Sequence, residues 1–498
     1  MNKYHRLFSD TLIFGFGNFT TKFLYFFLMP IYTLALTTEE FGLADLLNNS
    51  LYLAMPILTL CISDAVFRFT LDKDSDHKLL LCNGLRVLMA SFAIFLVVIL
   101  IVYIFYSYTY WWLFFVLYVS ESLKSLFAQF TRGLGKVKEF AINGILGAMF
   151  LLSGTYLLLG IFKLGINGYL LSLIVANITS LIYLLYKVRI DLYLNFTLYN
   201  KVVLRNMLLF SLPLIPNMLS WWITNISSRY IIAGYCGLGI AGLFAGASKI
   251  PALINVLASV FQQSWQFASV KEYQEASGSN FYSRVFHYYS FFVIMSSTTI
   301  LVSIPYISYF ILKGEFLEAW IYTPLLLFSA TLGCYSIFFG TFYAVVKDNK
   351  KAMYSTMVGA GINIVLCFLL IPLINVAGAL VANVISYSVI VILRIRDAKK
   401  YINISINRVV VLMSLLLLLG QAIVLSIPFD GNIFIAVLIP FVLAIIYRHD
   451  FVRVFSFLKM LMHNEYVKYN LVNDVWDISL YIVVFFFIVE SIMYEIVD

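Results

Sequence analysis

Residues 80–106 read LLCNGLRVLMASFAIFLVVILIVYIFY, with Arg86 the one charge in the run. About 20 apolar residues cross the hydrocarbon of a bilayer as a helix, and this run exceeds that. Working outward, the chain divides into fourteen such stretches. They fall at 9–32, 41–65, 80–106, 110–131, 140–161, 166–186, 206–232, 239–265, 285–312, 320–346, 353–374, 377–393, 409–427 and 432–447. A shorter apolar stretch from Ile478 to Met493 carries Glu490 and reads as an extra span or an interfacial helix. The expected fold is an all-α polytopic membrane protein of about fourteen transmembrane helices.

Composition agrees. Of 498 residues 62% are hydrophobic and only 12% charged, and the mean hydropathy is +0.93. Soluble domains hold roughly 25% charged residues, so a soluble protein is excluded, and so is a disordered one. The five cysteines form no CxxC pair and the five histidines share no metal-ligand spacing, so no disulfide framework and no metal site is expected. The first apolar segment has no small-residue cleavage site, so no cleavable signal peptide is expected.

The net charge of +8 has a topological origin. With the N-terminus placed in the cytoplasm, 26 of the 33 Lys and Arg fall on the cytoplasmic side, whereas Lys163 and Lys313 alone fall opposite. That is the positive-inside pattern, and it removes the argument for a nucleic-acid partner. No loop is long and no GxxxxGK[ST] phosphate loop is present, so ATP-driven transport by this chain alone is excluded. Asp72-Lys73-Asp74 mimics a glycosyltransferase DxD, but it lies in a short charged loop with no domain around it. No enzymatic role is expected.

The sorting leaves five cations inside apolar segments: Lys22, Arg86, Lys124, Arg229 and Lys249. A charge at mid-bilayer costs about 3 kcal/mol or more, so these must face water or find partners. On span 7, Asn217, Trp221, Asn225 and Arg229 recur every four residues and form one stripe. On span 1, Asn18, Lys22, Tyr25, Met29 and Tyr32 follow the i, i+4, i+7 pattern of one helix face. Asp45, Asn49 and Tyr52 share a face of span 2. These patterns predict a wet cavity in which Lys22, Arg229, Lys249, Lys124 and Arg86 bind an anion. Asn18, Tyr25, Asn217, Trp221 and Asn225 supply its polar and aromatic walls. Phosphate or diphosphate suits such a set, because Lys and Arg make charge-assisted bonds to phosphate oxygens. Plainer readings stand beside this one. Lys124 with Glu121 reads as an i,i+3 structural pair, and Arg86 and Arg229 read as side chains snorkelling to the surface. Asp45 and Glu121 are the candidate acids for ion coupling, or simple charge compensation.

Two halves echo each other. EFGLADLL…MPIL (residues 40–58) matches YCGLGIAG…IPAL (residues 235–253), with Gly42 to Pro56 and Gly237 to Pro251 equally spaced at an offset of 195. The basic loop and Gly-containing span at 129–149 match those at 341–361. This predicts two six-helix lobes in parallel repeat, residues 1–200 and 201–400. Two further helices follow over 401–450, then a basic tail over 451–498. Such a repeat sets the substrate site between two halves.

The run TLIFGFGNFTTKFLYFFLMPIYTLALTTEEFGLADLL (11–47) resembles the opening of bacterial polysaccharide biosynthesis proteins of the O-antigen flippase type. The run from Ser228 to Glu272 resembles their middle segment. They belong to the multidrug/oligosaccharidyl-lipid/polysaccharide exporter superfamily. The resemblance implies alternating-access movement of an undecaprenyl-diphosphate-linked oligosaccharide, an O-antigen or capsule repeat unit, from the cytoplasmic to the periplasmic leaflet. It implies the bacterial inner membrane, an H⁺ or Na⁺ gradient as the coupling partner and no cofactor. The partners it implies are membrane lipid, a polysaccharide polymerase and chain-length machinery. Two alternatives remain: a multidrug or small-molecule exporter of the same superfamily, and a membrane polysaccharide polymerase. Cationic drugs favour an acidic cavity, and a polymerase needs a sizeable periplasmic loop.

Overall fold

A computed structural model of the chain describes residues 20–21, 24–72, 75–107, 110–195, 197–275, 280–346, 348–402, 404–427 and 431–450. Lys22, Asn18 and the apolar stretch from Ile478 to Met493 lie outside these described residues. Among them every regular element is helical. Ten helices are long and apolar enough to cross a membrane, or up to twelve if each of two bent pairs counts as one span. Two shorter apolar helices, Leu24–Ala35 and Asn432–Ile446, fall on the first and last of the fourteen expected stretches. The full count of fourteen is therefore not reached by helix length among the described residues.

The chain runs α1 (Leu24–Ala35, with a turn at Phe27), α2 (Thr38–Leu58), α3 (Ile62–Thr70), α4 (His77–Phe105), α5 (Tyr110–Gly133), α6 (Val137–Thr155), α7 (Gly165–Val188), α8 (Lys201–Ser211) and α9 (Leu214–Cys236). There follow α10 (Leu238–Ala247), α11 (Ala252–Glu275), α12 (Asn280–Ile311), α13 (Thr323–Val345), α14 (Asn349–Ile374), α15 (Val376–Tyr401), α16 (Arg408–Ser426) and α17 (Asn432–Ile446).

Local sequence sets the ends. At α2, Glu40 N–H donates to Thr37 Oγ1 at 3.2 Å and Thr37 N–H donates to Glu40 Oε2 at 3.0 Å, a reciprocal capping box. Asp76 caps α4 by accepting from the amides of Lys78 and Leu79. The stretch expected as one span at 41–65 is broken. Leu60 and Cys61 adopt left-handed φ of 53° and 51°, and α3 leaves α2 at 61°. Pro56 in the last turn of α2 removes an amide donor just ahead of the break. At span 7, Pro213 splits α8 from α9; Pro216 sits in the first turn of α9, where a missing amide costs little.

Contacts divide the chain into two compact units. Of the described residues, one comprises those up to Lys249 with Tyr306–Trp320 and Met353–Ser386; the other comprises those in Ile250–Pro305, in Ile321–Ala352 and from Tyr387 to Asp450. In the first, Ile62, Leu81, Leu126, Phe130, Leu184 and Met207 pack in one buried cluster. Lipid tails are as apolar as these side chains, so helix association here relies on close van der Waals packing and small residues. In the second, Trp265 stacks on Phe338 with centroids 4.6 Å apart, and Phe261 and Phe281 extend the stack.

Gly42 on α2 packs directly against Gly242 on α10. Gly237 caps α10 with φ at +91°, a turn conformation that favours glycine. Gly42 and Gly242 each lie five residues past their N-caps, Thr37 and Gly237.

Candidate functional site: a buried aspartate between two cations

The sequence isolated Asp45, Arg229 and Lys249 as misfits in lipid, and the first unit brings them together. Arg229 on α9 donates from Nη1 to Asp45 Oδ2 at 2.6 Å and from Nη2 to Ser248 Oγ at 2.7 Å. Lys249, just beyond α10, reaches Asp45 Oδ1 at 3.5 Å. Asn49, one turn along α2, donates to Asp45 Oδ2 at 2.8 Å. The aspartate thus accepts from both cations and an amide. Its side chain is 4% exposed, that of Arg229 13% and that of Lys249 41%. Lys249 is both the loosest and the most open member. Arg229 Nε is buried and has no hydrogen-bond partner among the described residues.

The supporting contacts fix α9 against α2. Trp222 Nε1 donates to the carbonyl of Asn49 at 2.9 Å, and the Tyr230 hydroxyl donates to the carbonyl of Leu46 at 2.9 Å. The two rings pack 5.3 Å apart. Ser248 is held in turn by donating to the carbonyl of Ala245. One carboxylate therefore sits between two cations on a frame that orients all three. Charge pairs of this kind are stabilised by hydrogen bonds that satisfy the remaining lone pairs.

A second ionic group lies in the same unit. Lys124 on α5 donates to Glu121 at 2.8 Å and to Asn177 Oδ1 on α7 at 2.8 Å. Asn177 donates in turn to Ser120 Oγ at 3.3 Å. The pairing of Lys124 with Glu121 is the i,i+3 contact its spacing suggested.

Other sequence candidates go elsewhere. Arg86 on α4 lies over the Tyr199 ring, 4.7 Å from its centroid, against the connection between α7 and α8. Asn217 and Trp221 are half-buried on α9. Asn225 is exposed and donates to the carbonyl of Trp221 at 2.7 Å. Tyr25 is 46% exposed. Arg229 pairs inward instead of snorkelling.

Several participants were not foreseen. Ser248, Asn177 and Trp222 carry no charge, and nothing in their spacing marks them. Arg394 was not singled out either, because it lies just past the apolar stretch that ends at residue 393. The helix α15 runs on to Tyr401, and Arg394 is 4% exposed within the second unit, donating to the carbonyl of Ser336 at 2.7 Å. Among the described residues no group of three or more His, Cys, Asp or Glu could hold a metal ion.

With this geometry in view, the known proteins of similar fold are informative. The lipid II flippase MurJ in an inward closed conformation superposes with a TM-score of 0.65 at 15% identity, over 88% of this chain and 99% of that one. An inward-facing multidrug resistance MATE transporter of the MOP superfamily gives 0.61 at 14% identity, over 76% of this chain and 95% of that one. A MOP superfamily transporter from Pyrococcus furiosus, described as having a binding pocket of reverse polarity, gives 0.55 at 12%, over 79% and 96%. At these identities the likeness is one of fold, and the fold is one used by transporters and flippases. No curated protein matches the sequence. The family model described as polysaccharide biosynthesis protein matches residues 7–267, more than half of the chain. The chain, a multi-helix membrane protein of this fold, belongs to the polysaccharide biosynthesis protein family.

Proposed function

We propose that this protein is a flippase that moves a lipid-diphosphate-linked oligosaccharide, an undecaprenyl-linked O-antigen or capsule repeat unit, from the cytoplasmic to the periplasmic leaflet. The observation that carries the reading is the arrangement of Arg229 and Lys249 about Asp45. A diphosphate offers several anionic oxygens, and it can take over the contacts that one carboxylate now makes. Lys249, 41% exposed and 3.5 Å from its acid, is free to leave Asp45 first. Arg229 keeps a planar fork suited to two oxygens of one phosphate, and its Nε has a donor to spare. The family and the fold shared with a lipid II flippase support the same substrate class.

Asp45 supplies a means of coupling. While ionised it holds both cations, offsetting one of their two charges, and competes with the substrate. Protonation, or pairing with Na⁺, would release them to the diphosphate. Ligand and coupling ion are then linked through one carboxylate. The protein sits in the bacterial inner membrane with its N-terminus in the cytoplasm, as the charge asymmetry favours.

The multidrug-exporter alternative has weaker support. A cationic drug needs an uncommitted acid, whereas Asp45 holds two cations and Glu121 holds Lys124. The test is deletion of the gene followed by lipid analysis. Full-length lipid-linked repeat units accumulating on the cytoplasmic leaflet support the flippase. Normal surface polysaccharide with no accumulated intermediate defeats it.

A further inference from the structure

Within the second unit a cavity of about 590 Å³ opens between the first turns of α12, the start of α16 with the connection leading into it, and the residue that ends α17. Arg284, Ser405 and Asn407 are among its polar lining residues, and Phe286, Val410 and Val411 are among its apolar ones. Two contacts hold these pieces together. The Ser405 amide donates to Ser283 Oγ at 2.9 Å, which ties the connection to α12. His287 Nε2 meets Asp450 Oδ1 at 2.9 Å, which ties the chain beyond α17 to the same helix. The walls are thus set by the protein's own contacts.

The charges of the lining select an anion. Arg284 is exposed and enters no ion pair among the described residues. Asn407 caps α16 through its carbonyl oxygen, accepting from the Val410 amide at 3.3 Å, and its side-chain N–H groups are left to donate. Asp450 is buried against His287, and no carboxylate lines the cavity among the described residues. Arg408 and Arg448, each exposed beside a lining residue, add positive charge at the same end of the helices.

The depth of the cavity says which anion. The apolar stretches of these helices run 285–312, 409–427 and 432–447, and the lining falls at one end of each. That is the level at which hydrocarbon gives way to the headgroup region, where lipid phosphates lie. Tyr288 and Tyr447 also line it, and tyrosine is enriched at that boundary. Free phosphate would engage the guanidinium and the N–H donors and leave the apolar wall bare. A phospholipid uses both, with its phosphate at Arg284 and Asn407 and its glycerol and first acyl carbons against Phe286, Val410 and Val411. Basic pockets between helices at a membrane surface take such headgroups.

We propose that this cavity binds the phosphate of an anionic phospholipid, with Arg284 as its cation. The proposal concerns the second unit alone and does not depend on the flippase reading.

The test titrates the full-length protein in detergent with phosphatidylglycerol, phosphatidylcholine or inorganic phosphate and follows binding by ligand-induced thermal shift. Phosphatidylglycerol is expected to bind more tightly than phosphatidylcholine. Arg284→Gln is expected to weaken phosphatidylglycerol about tenfold, the loss of one charge-assisted hydrogen bond. Arg396→Gln, an exposed change on α15 outside the lining, leaves it unchanged. Val411→Phe, which narrows the apolar wall, weakens phosphatidylglycerol as well, and inorganic phosphate produces no shift. Unchanged binding in Arg284→Gln, equal loss in Arg284→Gln and Arg396→Gln, or equal binding of the two lipids overturns the site. A shift with inorganic phosphate that matches phosphatidylglycerol and persists in Val411→Phe means that the cavity takes free phosphate, and the lipid assignment falls.

Discussion

Gly42 and Gly242 hold the backbones of α2 and α10 in direct contact. A Cβ on Gly42 would lie 2.2 Å from the carbonyl oxygen of Leu238, and a Cβ on Gly242 would lie 2.0 Å from that of Thr38. The contact is reciprocal: each glycine faces the carbonyl four residues before the other. In a membrane, where hydrophobic burial does not drive helices together, such small-residue crossings set how closely they approach. This crossing lies one turn from Asp45, so the close approach also brings Ser248 and Lys249 within range of the aspartate and its arginine.

Gly42→Ala and Gly242→Ala are therefore each expected to destabilise the protein by about 1–3 kcal/mol, the range for overpacked sites. The obstruction is backbone and cannot rotate away. Gly239→Ala is the control, because its Cβ would meet Thr38 Oγ1 at 3.4 Å and Glu39 Cγ at 3.5 Å. Thermal unfolding in detergent separates the cases: both crossing variants melt lower and Gly239→Ala stays near the parent. Equal melting of all three would show that the crossing is not tight.

Asp45 sets a second expectation. Asp45→Ala removes the acid and leaves Arg229 beside Asn49 and Ser248 without its counter-ion. Breaking a buried pair from one side costs about 3–5 kcal/mol. Asp45→Asn keeps the shape and an acceptor oxygen and should cost less. Lys249→Ala should cost least, because its side chain is 41% exposed and its contact long. The order Asp45→Ala, Asp45→Asn, Lys249→Ala in falling severity is checked by melting temperature. Lipid translocation, by contrast, is expected to fall in Lys249→Ala with protein level unchanged.

These charges also show what the sequence could reveal. Asp45, Arg229 and Lys249 were visible because a charge in an apolar run has to be explained. Their mutual pairing was not visible, since they stand 184 and 204 positions from Asp45. The helices and the family were legible from long apolar runs and two quoted segments. The break at Leu60 and Cys61 was not, because neither residue type announces a left-handed backbone. Ser248 and Asn177 stayed hidden for a related reason: serine and asparagine are common in membrane helices and acquire meaning only through a neighbour. Arg394 stayed hidden because it lies just past the apolar stretch ending at 393, while the helix itself runs on to Tyr401 and buries it.

Arg394 gives a third prediction. A Cβ on Gly340 would lie 2.5 Å from Arg394 Nη1, the nitrogen that donates to the Ser336 carbonyl. Gly340→Ala must push the guanidinium off that carbonyl, and a hydrogen bond from a charged donor is worth about 1.5–3 kcal/mol. Arg394→Ala removes the obstruction and the bond together. Adding Gly340→Ala to it should then cost little. A double-mutant cycle by thermal unfolding should show strong non-additivity. Additive losses would mean that Gly340 is needed for some other reason.

The Glu121–Lys124 pair can be separated into its structural and recognition parts. Lys124→Met leaves Glu121 uncompensated, and Glu121→Leu leaves Lys124 with Asn177 as its acceptor. The pair is partly exposed, so each single change should cost about 1–3 kcal/mol, between the surface and buried limits. Lys124→Met should be the worse, since Asn177 cannot help an isolated carboxylate in the way it helps the ammonium. The double variant removes both charges and should recover most of the stability. If the pair is structural alone, that variant also recovers transport. If Lys124 also helps to bind an anionic substrate, the variant melts near the parent yet transports poorly. Melting and transport measured on the same variant therefore decide between the two roles, because only recognition requires them to diverge.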